Sequence, residues 1–149
     1  MITFIQRGDI FESNCEAITN TVNCVGVMGK GLALEFKRRY PDYFKWYREA
    51  CKEGLISIGH VSVYTLPGFG NLKIVSFPTK TDWKYPSQLS WINAGLLNLE
   101  KTCLRLNIKS IAIPALGCSN GGLSWKDVKP LISARFEKTE MTVEVYEPL

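Results

Sequence analysis

The chain has 149 residues, of which 46% are hydrophobic and 21% charged, with a formal net charge of +4. This is a globular profile with room for one sizeable core, so residues 1–149 are expected to form a single domain; it excludes a disordered chain. No apolar run approaches the roughly 20 residues of a membrane helix, and the mild positive charge permits an anionic partner without demanding one.

Residues 2–6 (ITFIQ) and 16–23 (EAITNTVN) read as strands joined by the loop RGDIFESN. Residues 31–39 look helical, and Pro41 opens a second helix to about Glu53, because proline suits a helix's first turn. HVSVYTL (60–66) alternates like a strand, LPGFGN is a turn, and LKIVSFP (72–78) is the next strand. Leu89, Ile92, Leu96, Leu99, Cys103 and Leu106 step by three and four, which is one buried face of a long helix over 89–106 with Ser87 as its N-cap. SIAIPAL (110–116) is a short apolar strand and GCSNGGLSW a glycine-rich turn; a helix follows around Pro130–Lys138, then MTVEVYE (141–147) as a last strand. Strands alternating with helices predict an α/β sandwich with a largely parallel sheet.

The N-terminus MITFIQRGD reads as a strand rather than a secretion signal. The five cysteines, at 15, 24, 51, 103 and 118, are scattered and never form a CxxC pair. That spacing argues against a disulfide framework or a thiolate zinc site and suits a reducing compartment, so a cytoplasmic location is expected.

Two glycine loops carry the chemistry. VNCVGVMGKGLALEF (22–36) holds Gly26, Gly29 and Gly31, and GCSNGGLSW follows the strand at 110–116. Each connects a strand to a helix, where free N–H groups gather and where glycine lets the backbone approach an anion closely. Two such loops in a short chain point to a diphosphate. The spacing is not the GxGxxG of dinucleotide folds, and GKG lacks the Ser or Thr with which a P-loop holds magnesium, so the expectation is phosphate recognition without phosphoryl transfer. Lys30 either adds charge to that site or is a solvated surface lysine.

His60 is the single histidine, which argues against Ser-His-Asp and His-rich metal sites; no metal is expected. Cys24 and Cys118 lie in or beside the loops, where packing is the favoured role over a thiol nucleophile because no base is near in sequence. Lys80 follows SFPT at a strand's carboxyl end. An amine there can attack an aldehyde-like carbon, or it is an ordinary loop lysine.

Taken together, RGDI (7–10), TVNCVGVMGKGLA (21–33), FPTK (77–80) and GCSNGGLSW (117–125) resemble the macrodomains over essentially the whole chain. Within that family they resemble the lysine-dependent branch that includes terminal ADP-ribose hydrolases and the bacterial DNA ADP-ribosyl glycohydrolases, the DarG-type antitoxins. The resemblance implies a three-layer α/β/α fold with a mixed sheet and an ADP-ribose pocket. It implies that Asp9, with Gly8 and Ile10 beside it, meets the adenine, and that Asn23 holds the distal ribose and shares in catalysis. Gly29, Lys30, Gly31 and Leu32 would clasp the diphosphate from one side, and Gly117, Cys118, Ser119, Asn120, Gly121 and Gly122 from the other. Thr21, Met28 and Thr79 would complete the pocket. Tyr146 would either wall the adenine or belong to the core.

By the same resemblance Lys80 attacks C1″ of the distal ribose, which requires a neutral amine, and no cofactor is involved. Protein-directed eukaryotic members carry an aspartate in the second loop that assists the lysine; here Gly121 aligns with it, leaving Ser119 and Asn120 to orient water or ribose hydroxyls. TKTDWKYP interleaves Lys80, Trp83, Lys84 and Tyr85, which suits single-stranded DNA; the alternative is a loop folded over the pocket with Trp83 buried. The expected activity is removal of ADP-ribose from a thymine base, with ADP-ribose, ADP-ribosylated DNA and a cognate ADP-ribosyltransferase toxin as partners and no membrane. Hydrolysis of acidic-side-chain or small-molecule ADP-ribose esters, and a non-catalytic ADP-ribose reader, are the alternatives. The resembling antitoxins usually carry a further C-terminal domain, so a chain ending at Leu149 is expected to be either an excised catalytic domain or a stand-alone form.

Overall fold

In chain order, the computed structural model, which describes residues 1–149, places β1 (Ile2–Ile5), β2 (Ala17–Asn23), α1 (Gly31–Arg39), α2 (Pro41–Lys52) and β3 (Ser62–Thr65). Then come β4 (Lys73–Lys80), α3 (Leu89–Arg105), β5 (Ser110–Ile113), α4 (Trp125–Phe136) and β6 (Thr142–Tyr146). The six strands form one sheet in the order β1-β6-β5-β2-β4-β3. Every pairing is parallel except β3 with β4.

The period-two alternation of strand side chains divides the core between two faces. Ala17, Val75, Phe77, Ile111 and Ile113 point to one face, where Ile92, Leu96 and Leu99 of α3 and Val128 and Ile132 of α4 cover them. Ile18, Val22, Ile74 and Ala112 point to the other, beneath Phe36 of α1 and Tyr43 and Tyr47 of α2. The result is helices on both sides of a mixed sheet, as expected. On the first face Gly95 lets α3 settle onto the Phe77 ring; a Cβ there would overlap the ring. On the second, Tyr43 Oη shares a 2.6 Å hydrogen bond with Ser76 Oγ and accepts one from Asn20 Nδ2, tying α2 to β4 and β2.

Several boundaries differ from the sequence expectation. The loop RGDIFESN contains a short 3-10 turn, Ile10–Glu12. β4 runs on to Lys80, so the lysine belongs to the strand. β5 stops at Ile113 because Pro114 has no N–H to continue the ladder. α4 starts at Trp125, and Pro130 lies inside it on the exposed side, where the carbonyl left without a partner meets water. Ser87 is not the cap of α3: Gln88 holds that position, with no side-chain cap, and Ser87 is buried against the second glycine loop.

Candidate functional site

β5, β2 and β4 are adjacent and parallel, so their carboxyl ends, and the loops that leave them, open on one edge of the sheet. Ligands in open α/β sheets gather at that edge. Here it holds a cavity of about 570 Å³, walled by the loop after β2, the turn after β4 and the loop after β5.

The floor of the cavity is a break in the sheet. The register of β2 against β4 shifts between Val22 and Asn23, so Asn23 lies opposite Lys80. Pro78, opposite Val22, contributes no N–H, and the irregularity re-aims the two strand ends.

Asn23 is 7% exposed, and its amide builds the first glycine loop. Oδ1 accepts hydrogen bonds from the Val25 and Val27 N–H groups at 3.1 and 3.3 Å, and Nδ2 donates to the Val27 carbonyl at 2.8 Å. Tyr47, fully buried in α2, brings its hydroxyl to the Asn23 carbonyl at 2.7 Å and to Oδ1 at 2.9 Å. Burial pushes the Tyr47 phenol well above its ordinary range, so it stays a donor. Gly26 then turns the chain with a φ of +86°, a left-handed conformation that glycine adopts without a Cβ clash.

The other wall is a turn fastened at several points. Asp82 Oδ1 accepts the Lys84 N–H at 3.0 Å, and the Asp82 carbonyl accepts the Tyr85 N–H at 3.2 Å. The Lys80 ammonium donates to the Trp83 carbonyl at 3.4 Å, and the Ser87 N–H donates to the Gly121 carbonyl at 2.9 Å. The turn thus links the amine to the second glycine loop. Gly121 is buried, and a Cβ there would run into the Gly117 carbonyl oxygen and Ser87 Oγ. The second loop therefore has no room for an aspartate at that position.

Electrostatically the cavity is one-sided. Lys30, Lys80 and Lys84 line it together with Thr, Ser, Asn and Tyr polar groups, and no Asp, Glu or His is among the lining residues. Such a pocket suits an anion, with loop N–H groups and ammonium groups sharing its charge.

Of the residues expected from the sequence, the structure brings most of them together here. Thr21, Asn23, Thr79 and Lys80 contribute from the strand ends, Gly29, Lys30 and Leu32 from the first loop, and Gly117, Ser119, Asn120, Gly121 and Gly122 from the second. Gly8, Asp9, Ile10, Met28, Gly31 and Cys118 are not among the lining residues. Asp9 caps the short 3-10 turn, its Oδ1 accepting the Phe11 N–H at 2.9 Å. Gly8 packs beneath Ile5 and Tyr146, and Ile10 is buried. Met28 is 1% exposed, its sulfur beside Asn20 Nδ2. Gly31 is the first residue of α1, and Cys118 directs its thiol at the Leu116 carbonyl. Tyr146 donates its hydroxyl to Glu144. Val22, Val27, Ala33, Pro86 and Ala115 also line the cavity; their only signal in the sequence is proximity to the two loops. Trp83 is 52% exposed at the mouth, not buried under a folded loop.

The other nucleophile can be weighed directly. Burial raises the pKa of all five thiols, that of Cys118 to about 11, which leaves none of them ionised near neutral pH. His60 is exposed before β3 and is not a lining residue. No cluster of three or more His, Cys, Asp or Glu is placed to hold a metal. No helix is long and apolar enough to cross a membrane.

The family model described as "Macro domain" matches residues 19–132, from β2 through α4. The chain belongs to the macrodomain family. It is 47% identical over 150 residues to the DNA ADP-ribosyl glycohydrolase of Mycobacterium tuberculosis, covering 99% of this chain and 42% of that protein. Among solved structures, the macrodomain of Mycobacterium tuberculosis DarG superposes with a TM-score of 0.94 at 45% identity, covering 100% of this chain and 98% of that one. Thermosipho africanus DarTG in complex with ADP-ribose superposes at 0.93 with 36% identity, covering 99% of this chain and 42% of that one. This macrodomain spans about two fifths of the length of the curated DNA ADP-ribosyl glycohydrolases it matches.

Proposed function

We propose that this macrodomain removes ADP-ribose from DNA, as a DNA ADP-ribosyl glycohydrolase that reverses a DNA-modifying ADP-ribosyltransferase toxin in the cytoplasm. The observation that carries the reading is the Lys80 amine at the end of β4, opposite Asn23, in an anion-suited cavity lined by no carboxylate. The relative named for this activity shares almost the whole chain, and a structural neighbour was solved with ADP-ribose.

In this reading the two glycine loops grip the diphosphate through backbone N–H groups, and Lys30 adds charge. The distal ribose then lies over the break between Asn23 and Lys80. The neutral Lys80 amine forms a bond to C1″ as the bond from C1″ to the thymine nitrogen breaks. The base leaves with the bonding pair and takes up a proton. Water subsequently displaces the amine, releasing ADP-ribose and restoring Lys80. Since no lining residue is Asp, Glu or His, the departing base takes its proton from the positively charged Lys80 adduct or from water held by Ser119 and Asn120. Asn23 acts by holding the first loop in shape, because its amide is already engaged there.

The decisive experiment compares wild type with Lys80→Ala on an ADP-ribosylated oligonucleotide and on a protein ADP-ribosylated at acidic side chains. The variant should lose turnover by at least about 10³-fold yet bind ADP-ribose within a few-fold of wild type, because only the covalent step is removed. Wild type that cleaves the protein ester alone would overturn the DNA assignment. Wild type that binds ADP-ribose and cleaves neither substrate would make the chain a reader.

A further inference from the structure

The turn after β4 exposes two large aromatic rings where a buried or polar surface would cost less. Trp83 is 52% and Tyr85 60% exposed, and both line the mouth of the cavity. Neither has an aromatic partner within the protein, whereas Phe36, Tyr40, Tyr43, Trp46 and Tyr64 pack ring against ring beside α2. Their backbone is not loose: Asp82 caps the turn twice, Lys80 holds the Trp83 carbonyl, and Ser87 anchors the far end to Gly121. Exposed rings on a fastened turn form a platform. Lys84 lies beside it, its ammonium 5.7 Å from the centre of the Trp83 ring, and the lining of the cavity behind supplies no negative charge.

We propose that Trp83 and Tyr85 are stacking surfaces for unpaired bases flanking the modified nucleotide, with Lys84 placed for the adjoining phosphate. The proposal rests on the DNA reading above and assigns the residues that take the strand on either side of the modified base. A flat ring needs a free base face, and stacking on aromatic side chains tolerates any sequence. Because the Lys80 ammonium is bonded to the carbonyl of Trp83 itself, a base stacked on that ring is registered to the amine. The platform therefore positions the strand for reaction as well as holding it. A protein substrate would offer neither bases to stack nor a regular phosphate track for Lys84.

The test uses two substrates carrying the same linkage, an ADP-ribosylated thymine within a single-stranded oligonucleotide and ADP-ribosylated thymidine alone. Trp83→Ala and Tyr85→Ala should each lower kcat/KM on the oligonucleotide about five-fold or more beyond any loss on the nucleoside, since stacking on one ring is worth about five- to 150-fold in affinity. Trp83→Phe, which keeps a ring, should recover most of that difference. Lys84→Ala should reduce the slope of log affinity for an unmodified single strand against log salt by about 0.7. If wild type cleaves both substrates and the alanine variants lose equally on each, or lose nothing, the platform is refuted while the hydrolase reading stands. If wild type cleaves neither, the hydrolase reading fails and the proposal falls with it. Preference for a protein-linked substrate that the alanine variants weaken would also overturn it.

Discussion

Replacing Asn23 by alanine tests how the first glycine loop is held. The change deletes hydrogen bonds from the Val25 and Val27 N–H groups at 3.1 and 3.3 Å, from the Tyr47 hydroxyl at 2.9 Å, and to the Val27 carbonyl at 2.8 Å. At about 1 kcal/mol each, reduced because three of them share one oxygen, the loss should be about 2–4 kcal/mol. At about 2–4 °C per kcal/mol for a domain of this size, Tm should fall by about 5–15 °C. Tyr47→Phe removes one shared donor and should cost about 1 kcal/mol. The two changes act on one network, so the double variant should be less destabilised than the sum by about 1 kcal/mol, measured by urea unfolding. ADP-ribose titration supplies the functional arm: each loop residue that must re-order on binding costs about 1–2 kcal/mol, so Asn23→Ala should weaken affinity about ten-fold for one residue released. Strict additivity in the cycle together with unchanged affinity would refute the reasoning, because Asn23 would then not be what shapes the loop.

Other outcomes follow from the packing and the ionisable groups. Gly95→Ala gains about 1 kcal/mol of helix propensity but drives a methyl into the Phe77 ring, an overpacking cost of about 1–3 kcal/mol; the net effect should be a lower Tm, and a rise would show that α3 can slide. Gly121→Ala should weaken ADP-ribose binding in calorimetry by forcing Gly117 and Ser87 apart, and retention of full affinity would mean that the second loop is not part of the grip. Cys118→Ala should leave turnover within about two-fold, since its half-buried thiol is held above the range where it could attack. Glu147 is depressed below its ordinary 4.5 by hydrogen bonds from Trp125 Nε1 at 2.9 Å and Lys129 Nζ at 3.0 Å. A depressed carboxyl stabilises the fold above its unfolded value and loses that contribution as pH falls through the folded one, so the acid limb of stability below about pH 4.5 should flatten in Glu147→Gln.

The order of strands and helices was legible because the elements carry distinct patterns: alternation in 60–66, the strand-like stretch 72–78 that is buried on both faces, and three-and-four steps in 89–106 whose inner members, Ile92 to Cys103, form the buried face of α3. Ends were less legible. Pro130 reads as a helix start because proline suits the first turn, yet an exposed inner turn accommodates it equally, since water replaces the lost bond. Ser87 reads as a cap by type and spacing, but its neighbour Gly121 claims its N–H across 34 residues of chain, a tertiary preference that no local pattern encodes. The same division holds at the site. Lys80 and the glycines announce themselves through residue type, whereas the engagement of the Asn23 amide within its own loop depends on Tyr47 arriving from α2. Asp9 shows the converse, a residue singled out by motif whose carboxylate the fold occupies with a local N–H.

The one-sided charge of the cavity bears on turnover as well as on capture. The Lys30 ammonium and the loop N–H groups hold the nucleotide through its phosphates, which are unchanged by the reaction, so the liberated sugar nucleotide is retained about as firmly as the attached one. Escape rather than bond breaking should then pace the steady state, which would appear as a rapid first turnover followed by a slower phase that accelerates when salt is added.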